Sequence, residues 1–240
     1  MKGFFVTGTD TEVGKTLIAA ALIHRLQDLG INTCGYKPVV AGMQLNQGHL
    51  KNEDLETLLF VSNRFRSTNN LLTYEDVCPY RLRVPAAPHI VAKEEGILLK
   101  SEVMLERYLN LQHDHDCIVV EGAGGFLVPI DYTSTLGDLA RLMSLPVILV
   151  VDIRLGCINH ALLTAASITA HQLEFKAWVA NAKSPPNDYF QENVNTLQSI
   201  FQDKYQAKLL GTIPYQPNLQ PPYSLEGIRA TSAFLDISSL

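Results

Sequence analysis

Cysteine is scarce in this chain, with four thiols in 240 residues at Cys34, Cys78, Cys117 and Cys157. No two form a Cys-x-x-Cys pair. That argues against a zinc site built from them and for buried free thiols in a reducing compartment. Long apolar runs are missing too. The longest strongly apolar stretch, Leu145 to Val151, has seven residues, whereas a membrane-spanning helix needs about 20. Lys2 is separated from the polar run Thr7 to Asp10 by only four residues. The apolar core of a secretion signal does not fit there, so a cytoplasmic location is expected. Basic residues neither dominate nor cluster: 19 Lys and Arg face 24 Asp and Glu, the net charge is −5, and no three basic residues run together. A nucleic-acid binder would carry a basic stripe, so no nucleic-acid partner and no membrane partner are expected. A small anion needs only a local site. With 12 prolines and 15 glycines the chain is neither collagen-like nor low-complexity. Its 47% apolar and 18% charged residues are those of an ordinary globular protein with a sizeable core. Length predicts one domain over residues 1–240.

What is present is alternation. Phe4 to Val6 reads as a short strand. A helix follows over Gly14 to Leu29, with Ile18, Leu22, Leu26 and Leu29 on one face and His24, Arg25 and Asp28 opposite. Thr33 to Val39 reads as a second strand and Asp54 to Ser62 as a helix. Residues 63–90 look irregular, broken by Pro79, Pro85 and Pro88. Ser101 is the expected N-cap of a helix to about Leu111. Ile118 to Val120, Val147 to Val151 and Ala177 to Ala180 are near-continuous apolar runs, as in strands buried on both faces. Helices fit at Leu136 to Met143 and Asn159 to Ala170, and a last strand at Leu209 to Ile213. This pattern predicts a single doubly wound, mostly parallel α/β sheet with helices on both faces.

The strongest local signal is Gly8-Thr9-Asp10-Thr11-Glu12-Val13-Gly14-Lys15-Thr16, placed between the first strand and the first helix. A phosphate-binding loop needs that context. Backbone N–H groups and the helix dipole attract the anion there. Gly14 permits close approach, Lys15 reaches the β- and γ-phosphates, and the Thr16 hydroxyl suits Mg²⁺. The usual spacing would place the first glycine at position 9, which is Thr9 here.

Such a site needs a further acid for the metal. Glu121 ends the apolar run Cys117 to Val120 and precedes Gly122-Ala123-Gly124-Gly125. In an open α/β sheet, ligands gather at the carboxyl ends of strands. Lys37 ends the second predicted strand and can point into the same crevice, although a surface lysine is an equal reading. Asp54, at a helix start, reads on its own as an acid favoured by the helix dipole. Among the histidines, His113 and His115 flank Asp114 in a polar turn with no third ligand in sight, so a solvated loop is expected.

Taken together, several segments resemble the dethiobiotin synthetase family over nearly the whole chain. They are Phe5 to Thr16, Gly35-Tyr36-Lys37-Pro38-Val39, Pro88-His89-Ile90, Val120 to Gly125, Leu155 to His160, Trp178-Val179-Ala180-Asn181 and Leu210 to Pro214. The resemblance implies a phosphate-loop NTPase-like fold and a ligase that turns 7,8-diaminononanoate, CO2 and MgATP into dethiobiotin, ADP and phosphate. It places Glu12, Val13, Gly14, Lys15, Thr16 and Leu17 around the phosphates, with Gly122, Ala123 and Gly124 nearby. It gives Mg²⁺ to Thr16, Asp54 and Glu121. Lys15 and Lys37 become the catalytic cations, and Thr11 and Lys37 lie near the carbamate. Asn181 resembles the adenine-reading asparagine, with Pro214 and Tyr215 near the base. Gly156, Cys157, Ile158 and Asn159 would bind the substrate carboxylate from a neighbouring subunit, which implies a homodimer.

Three positions depart from common patterns. Ala41 stands where many members carry serine, removing one hydrogen bond to substrate. Ala182 follows Asn181 where aspartate is common. Asp10 stands where switch ATPases of the wider loop class carry a signature lysine, which counts against that reading. The weak amphipathicity of Glu226 to Leu240, with Arg229 as its one basic residue, counts against it too. Amidating ligases of the same scaffold usually add a glutamine-hydrolysing domain, for which this chain has too few residues.

Overall fold

The computed structural model describes residues 3–46, 48–186 and 188–240; Lys2 lies outside them. Along the chain, β1 (Gly3–Gly8) leads into α1 (Lys15–Asp28) and then β2 (Thr33–Tyr36). Next come β3 (Val39–Ala41), β4 (Gln44–Asn46), β5 (His49–Lys51) and α2 (Glu53–Ser62). Then α3 (Tyr74–Val77), β6 (Tyr80–Leu82) and α4 (Pro88–Glu94) follow. The remainder alternates: α5 (Ser101–Asp114), β7 (Cys117–Gly125), α6 (Leu136–Met143), β8 (Val147–Asp152), α7 (Cys157–Ala170), β9 (Phe175–Asn181), α8 (Phe190–Tyr205), β10 (Lys208–Ile213) and α9 (Leu225–Ser232).

Six strands form one sheet in the order β10-β9-β8-β1-β7-β2, and every neighbouring pair is parallel. The predicted doubly wound α/β sheet is therefore present. Its apolar strands alternate between two cores, as the pleat requires. Phe4, Val6, Val119, Ile148 and Val150 pack with α1 on one face. Phe5, Ile118, Val120, Val147 and Leu149 pack on the other with residues of α5, α6, α7 and α8. Trp178 of β9 anchors α8 through the edge of Phe201, at 5.3 Å between ring centroids. From β1 the chain goes to β2 on one side; after β7 it crosses to β8 on the other. The crevice at the carboxyl ends of β1, β7 and β8 is thus a topological switch point, where open α/β sheets bind ligands.

Several expectations are corrected. Strand two ends at Tyr36. Pro38 offers no N–H for a ladder, and the Lys37 amide bonds to the Val77 carbonyl (2.8 Å). Val39–Ala41 then pairs with β6 in a separate small sheet. Residues 63–90 are not wholly irregular, since they hold α3 and β6, and Pro88 opens α4 at a position that needs no N–H donor. Ser101 is the first helical residue of α5; Lys100 is the N-cap, and no side chain caps this helix. The helix runs on to Asp114, so His115 packs against it rather than lying in a solvated loop. Its Nδ1 donates to the Leu111 carbonyl (2.8 Å) and its Nε2 accepts from Arg66 (2.9 Å). Of the polar face expected on α1, Arg25 and Asp28 are exposed, but His24 is buried, beside Ser232 of α9. Leu29, expected on the buried face, lies past the helix end and is 63% exposed.

Candidate active site

The loop from β1 to α1 is shaped by two residues with left-handed backbone, Glu12 (φ 61°) and Gly14 (φ 97°). Glycine holds that conformation without strain, whereas Glu12 stores some. Gly14 is the N-cap of α1. It has no side chain to cap the helix, and the first turn carries no acid. The helix end therefore presents its N–H groups and positive dipole to an anion. Val13 and Leu17 are buried beneath the loop. Lys15 is also buried and donates to the Asp10 carbonyl (2.8 Å). Burial pulls its pKa down to about 8, against the opposing charge of Glu121. Burial thus works against the charge of this lysine, and an incoming polyanion offsets that penalty.

Thr16, Lys37, Asp54 and Glu121 meet beside this loop. The Thr16 hydroxyl lies 2.8 Å from Asp54 Oδ1 and 2.7 Å from Glu121 Oε1. The Lys37 ammonium donates to Asp54 Oδ2 (2.5 Å) and Glu121 Oε1 (2.7 Å). Glu121 is not a loop residue at a strand end. It sits inside β7, which continues to Gly125, and is only 1% exposed. Burial raises its carboxyl pKa, partly countered by Lys37. Burial also works against the charge on Lys37, but Glu121 and Asp54 outweigh it and raise the lysine's pKa. Asp54 moves down, because Lys37 and Thr16 overcome its own burial. Asp54 is positioned by Asn52, whose side chain caps α2 by accepting from the Asp54 and Leu55 amides. The surface-lysine reading of Lys37 falls to these contacts, whereas Asp54 does stand in the first turn of α2, as its helix-start reading has it, and joins the cluster from there.

Beyond Glu121, Gly122 passes the Phe5 ring, Ala123 is half-buried, and Gly124 (φ 63°) lies across from Thr11. On the other side of the loop, Asn181 ends β9 and donates from its side-chain amide to the Val13 carbonyl (2.8 Å). Pairing of Asn181 with Ile213 brings Pro214 and Tyr215 to the same edge. Gly156, Cys157, Ile158 and Asn159 form the entry to α7, with Gly156 as N-cap at φ 90°. Among the described residues, no hydrogen bond or ion pair joins these four to the Lys37 cluster. They connect to the loop indirectly, since the Arg154 carbonyl accepts from the Cys157 amide and the Arg154 guanidinium reaches Asp10 (3.4 Å). Sequence reasoning missed Arg154, Asn52 and Asp152. Only Asn52 carried a local signal, an asparagine before Glu53 and Asp54 at a helix start.

A glycine-lysine-threonine loop between a central parallel strand and its helix, with two acids and a buried lysine at the switch point, defines a nucleotide-binding protein of the phosphate-loop class. A family model described as an AAA domain matches residues 2–223. The ATP-dependent dethiobiotin synthetase BioD of Vibrio campbellii (strain ATCC BAA-1116) is 40% identical over 215 residues, 90% of each chain. The chain belongs to the ATP-dependent dethiobiotin synthetase family. Among solved structures, the MinC:MinD cell division complex and the MinD cell division protein of Aquifex aeolicus resemble it with TM-scores of 0.53 and 0.51. They are 16% and 15% identical, and the matches cover 96% and 95% of this chain and 86% of each of theirs. At that identity they bear on the fold alone. The C-terminal helix α9 buries Ile228 against α1, and no helix among the described residues is long and apolar enough to cross a membrane.

Proposed function

We propose that this chain is the ATP- and Mg²⁺-dependent ligase that closes the ureido ring of dethiobiotin from 7,8-diaminononanoate and CO2. Family membership supports the reaction. The observation that carries the site is the meeting of Thr16, Lys37, Asp54 and Glu121 beside the phosphate loop.

The donor set fits Mg²⁺. Glu121 Oε2 is buried without a partner, and the single Thr16 proton cannot serve both carboxylates next to it. Among the described residues there is no cluster of three or more His, Cys, Asp or Glu. Two carboxylates and a hydroxyl form a sparse oxygen set, as suits an ion that keeps waters and substrate phosphates. Bound by Thr16, Asp54 and Glu121, Mg²⁺ would neutralise charge on the β- and γ-phosphates.

One substrate amine adds to CO2 and loses a proton, giving a carbamate. A carbamate oxygen attacks the γ-phosphorus as the bond to the ADP oxygen breaks. The product is a mixed carbamic–phosphoric anhydride. The second amine attacks the carbonyl carbon, the C–O bond to phosphate breaks, and the ring closes with loss of a proton. Two anions must meet for the first transfer. Lys15 and Lys37 offset that repulsion and hold charge on the moving phosphoryl group. Lys37 remains cationic because Glu121 and Asp54 hold it so. Glu12 to Leu17 and Gly122 to Gly124 wrap the phosphates, Asn181, Pro214 and Tyr215 flank the base, and Thr11 lies near the carbamate. Gly156, Cys157, Ile158 and Asn159 take the substrate carboxylate of the neighbouring subunit in a cytoplasmic homodimer.

Purified protein incubated with 7,8-diaminononanoate, bicarbonate and MgATP tests this reading, with each component omitted in turn. Dethiobiotin and ADP, seen by mass spectrometry, should require all of them. ATP hydrolysis without dethiobiotin would point to another acceptor, and Ala41 would be the first position to examine.

A further inference from the structure

Gly14 has close neighbours on its outer side. A Cβ there would lie 2.3 Å from the Asn181 amide nitrogen and 3.6 Å from Cδ of Lys183. The stem of Lys183 thus runs over the N-cap of α1, on the side of the loop where Asn181 stands. Its backbone is anchored, since the Lys183 amide donates to Asp152 Oδ1 (3.2 Å). Asp152 turns its other oxygen to Arg154 (3.5 Å), not to the lysine's own ammonium. Among the described residues, no carboxylate pairs with that ammonium.

Lys183 is exposed, so water solvates its ammonium when no ligand is bound. The N-terminus of α1 carries the positive end of the helix dipole, and its first turn has no acid that could pair with the lysine. The next residue back, Ala182, offers none either. An anion bound at the loop supplies the counter-charge, and the nucleoside triphosphate is the anion this site takes.

We propose that Lys183 contacts the bound nucleotide, closing its site on the Asn181 side of the phosphate loop with a cation that is not part of the loop. The proposal rests on the nucleotide reading given above. Lys183 binds the ground state and the transition state alike, because its stem is set beside the α1 N-cap and not beside the Lys37 cluster where phosphoryl transfer occurs. Its loss therefore weakens nucleotide binding and leaves the chemical step alone.

The test uses Lys183→Ala, Lys183→Gln and Lys183→Arg. ADP affinity is read by calorimetry, and KM for ATP and kcat by dethiobiotin formation. Thermal unfolding reports on folding. The Ala and Gln variants should bind ADP about three- to five-fold more weakly, the scale of a part-exposed charge contact. Their KM for ATP should rise in step, with kcat and melting temperature unchanged. The Arg variant should stay within twofold of the parent. ADP affinity unchanged in both neutral variants would overturn the proposal, as would a fall in kcat at constant KM. The Gln variant keeps the stem, so it reads the charge alone should Ala disturb the fold. The two readings fail separately. A parent that makes dethiobiotin while its neutral variants bind ADP normally removes Lys183 only. A parent that makes no dethiobiotin, with variants that lose ADP, removes the substrate reading and supports Lys183.

Discussion

Replacing Lys37 by methionine keeps most of the side-chain volume and removes the charge. In the metal-free protein this cation is the shared partner of Asp54 and Glu121, and it is 3% exposed. Glu121 is the more vulnerable of the two, at 1% exposed and with Oε2 already unpartnered. Removing one partner of a buried pair costs about 3–5 kcal/mol. Asp54 is more exposed, and Glu121 escapes part of the cost by taking a proton. We therefore expect a loss of about 3 kcal/mol at pH 8. At about 2–4 °C per kcal/mol for a chain of this size, that lowers the melting temperature by roughly 6–12 °C. The loss depends on pH. Burial already raises the Glu121 carboxyl, and without Lys37 it rises further above its unfolded value. A group with a raised folded pKa contributes stability that is complete below the unfolded value and lost as pH rises through the folded one. The deficit of Lys37→Met should therefore shrink as pH falls from 8 toward about 5. Urea unfolding of parent and variant across that range, without Mg²⁺, measures it. Turnover should fall by about two to three orders of magnitude. A deficit below about 1 kcal/mol, or one that does not change with pH, would mean that Lys37 is not what keeps Glu121 charged in the folded protein.

Other perturbations follow from the same contacts. Gly14→Ala forces a side chain into a left-handed backbone and against Asn181, so stability should fall by about 1–3 kcal/mol and KM for ATP should rise. Denaturant unfolding and initial rates check this, and parent-like values would show that the loop gives way easily. Glu121→Gln should shift the Mg²⁺ titration of activity to higher concentration; an unchanged titration would make Glu121 purely structural. Burial lowers the pKa of His24, against the pull of Asp28. The folded state then binds fewer protons than the unfolded one below about pH 6.5, and stability falls as pH drops through that window. His115 is lowered as well, again chiefly by burial, so His24→Gln should reduce the slope of melting temperature between pH 7.5 and 5.5 without abolishing it. An identical slope would assign the acid sensitivity elsewhere.

The phosphate loop and the sheet strands were legible because their signals are local. A Gly-Lys-Thr between a strand and a helix needs no distant partner to be recognised, and apolar runs at β7, β8 and β9 announce strands buried on both faces. The acid cluster is different. Asp54 meets Lys37 across 17 residues and Thr16 across 38, and Thr16 meets Glu121 across 105. No spacing rule joins them, and Asp54 entered only through family resemblance. His24 failed for the same reason: the helix that buries it lies about 200 residues away, with Ser232 as its contact. Periodicity did not foretell α8 or α9. The α8 face is held by an aromatic cluster with Phe175 and Trp178 of β9, and α9 is short. The strand break at Lys37-Pro38 was visible in the proline, yet its consequence, a lysine turned from the sheet edge into the acid cluster, was not.

In the proposed reaction ATP is spent on the oxygen of a carbamate, and that oxygen can be followed. With ¹⁸O-labelled CO2 in ¹⁸O-water, to hold the label against exchange, and unlabelled ATP, the carbamate oxygen that attacks the γ-phosphorus leaves with phosphate when the ring closes. The account predicts that phosphate released with dethiobiotin carries one ¹⁸O from the carbamate. In the matching run without 7,8-diaminononanoate, little phosphate should form. The same experiment in freshly mixed unlabelled water with labelled CO2, quenched within one turnover, should still show labelled phosphate. Phosphate free of label in that single-turnover run, with dethiobiotin formed in equal amount, would contradict the account.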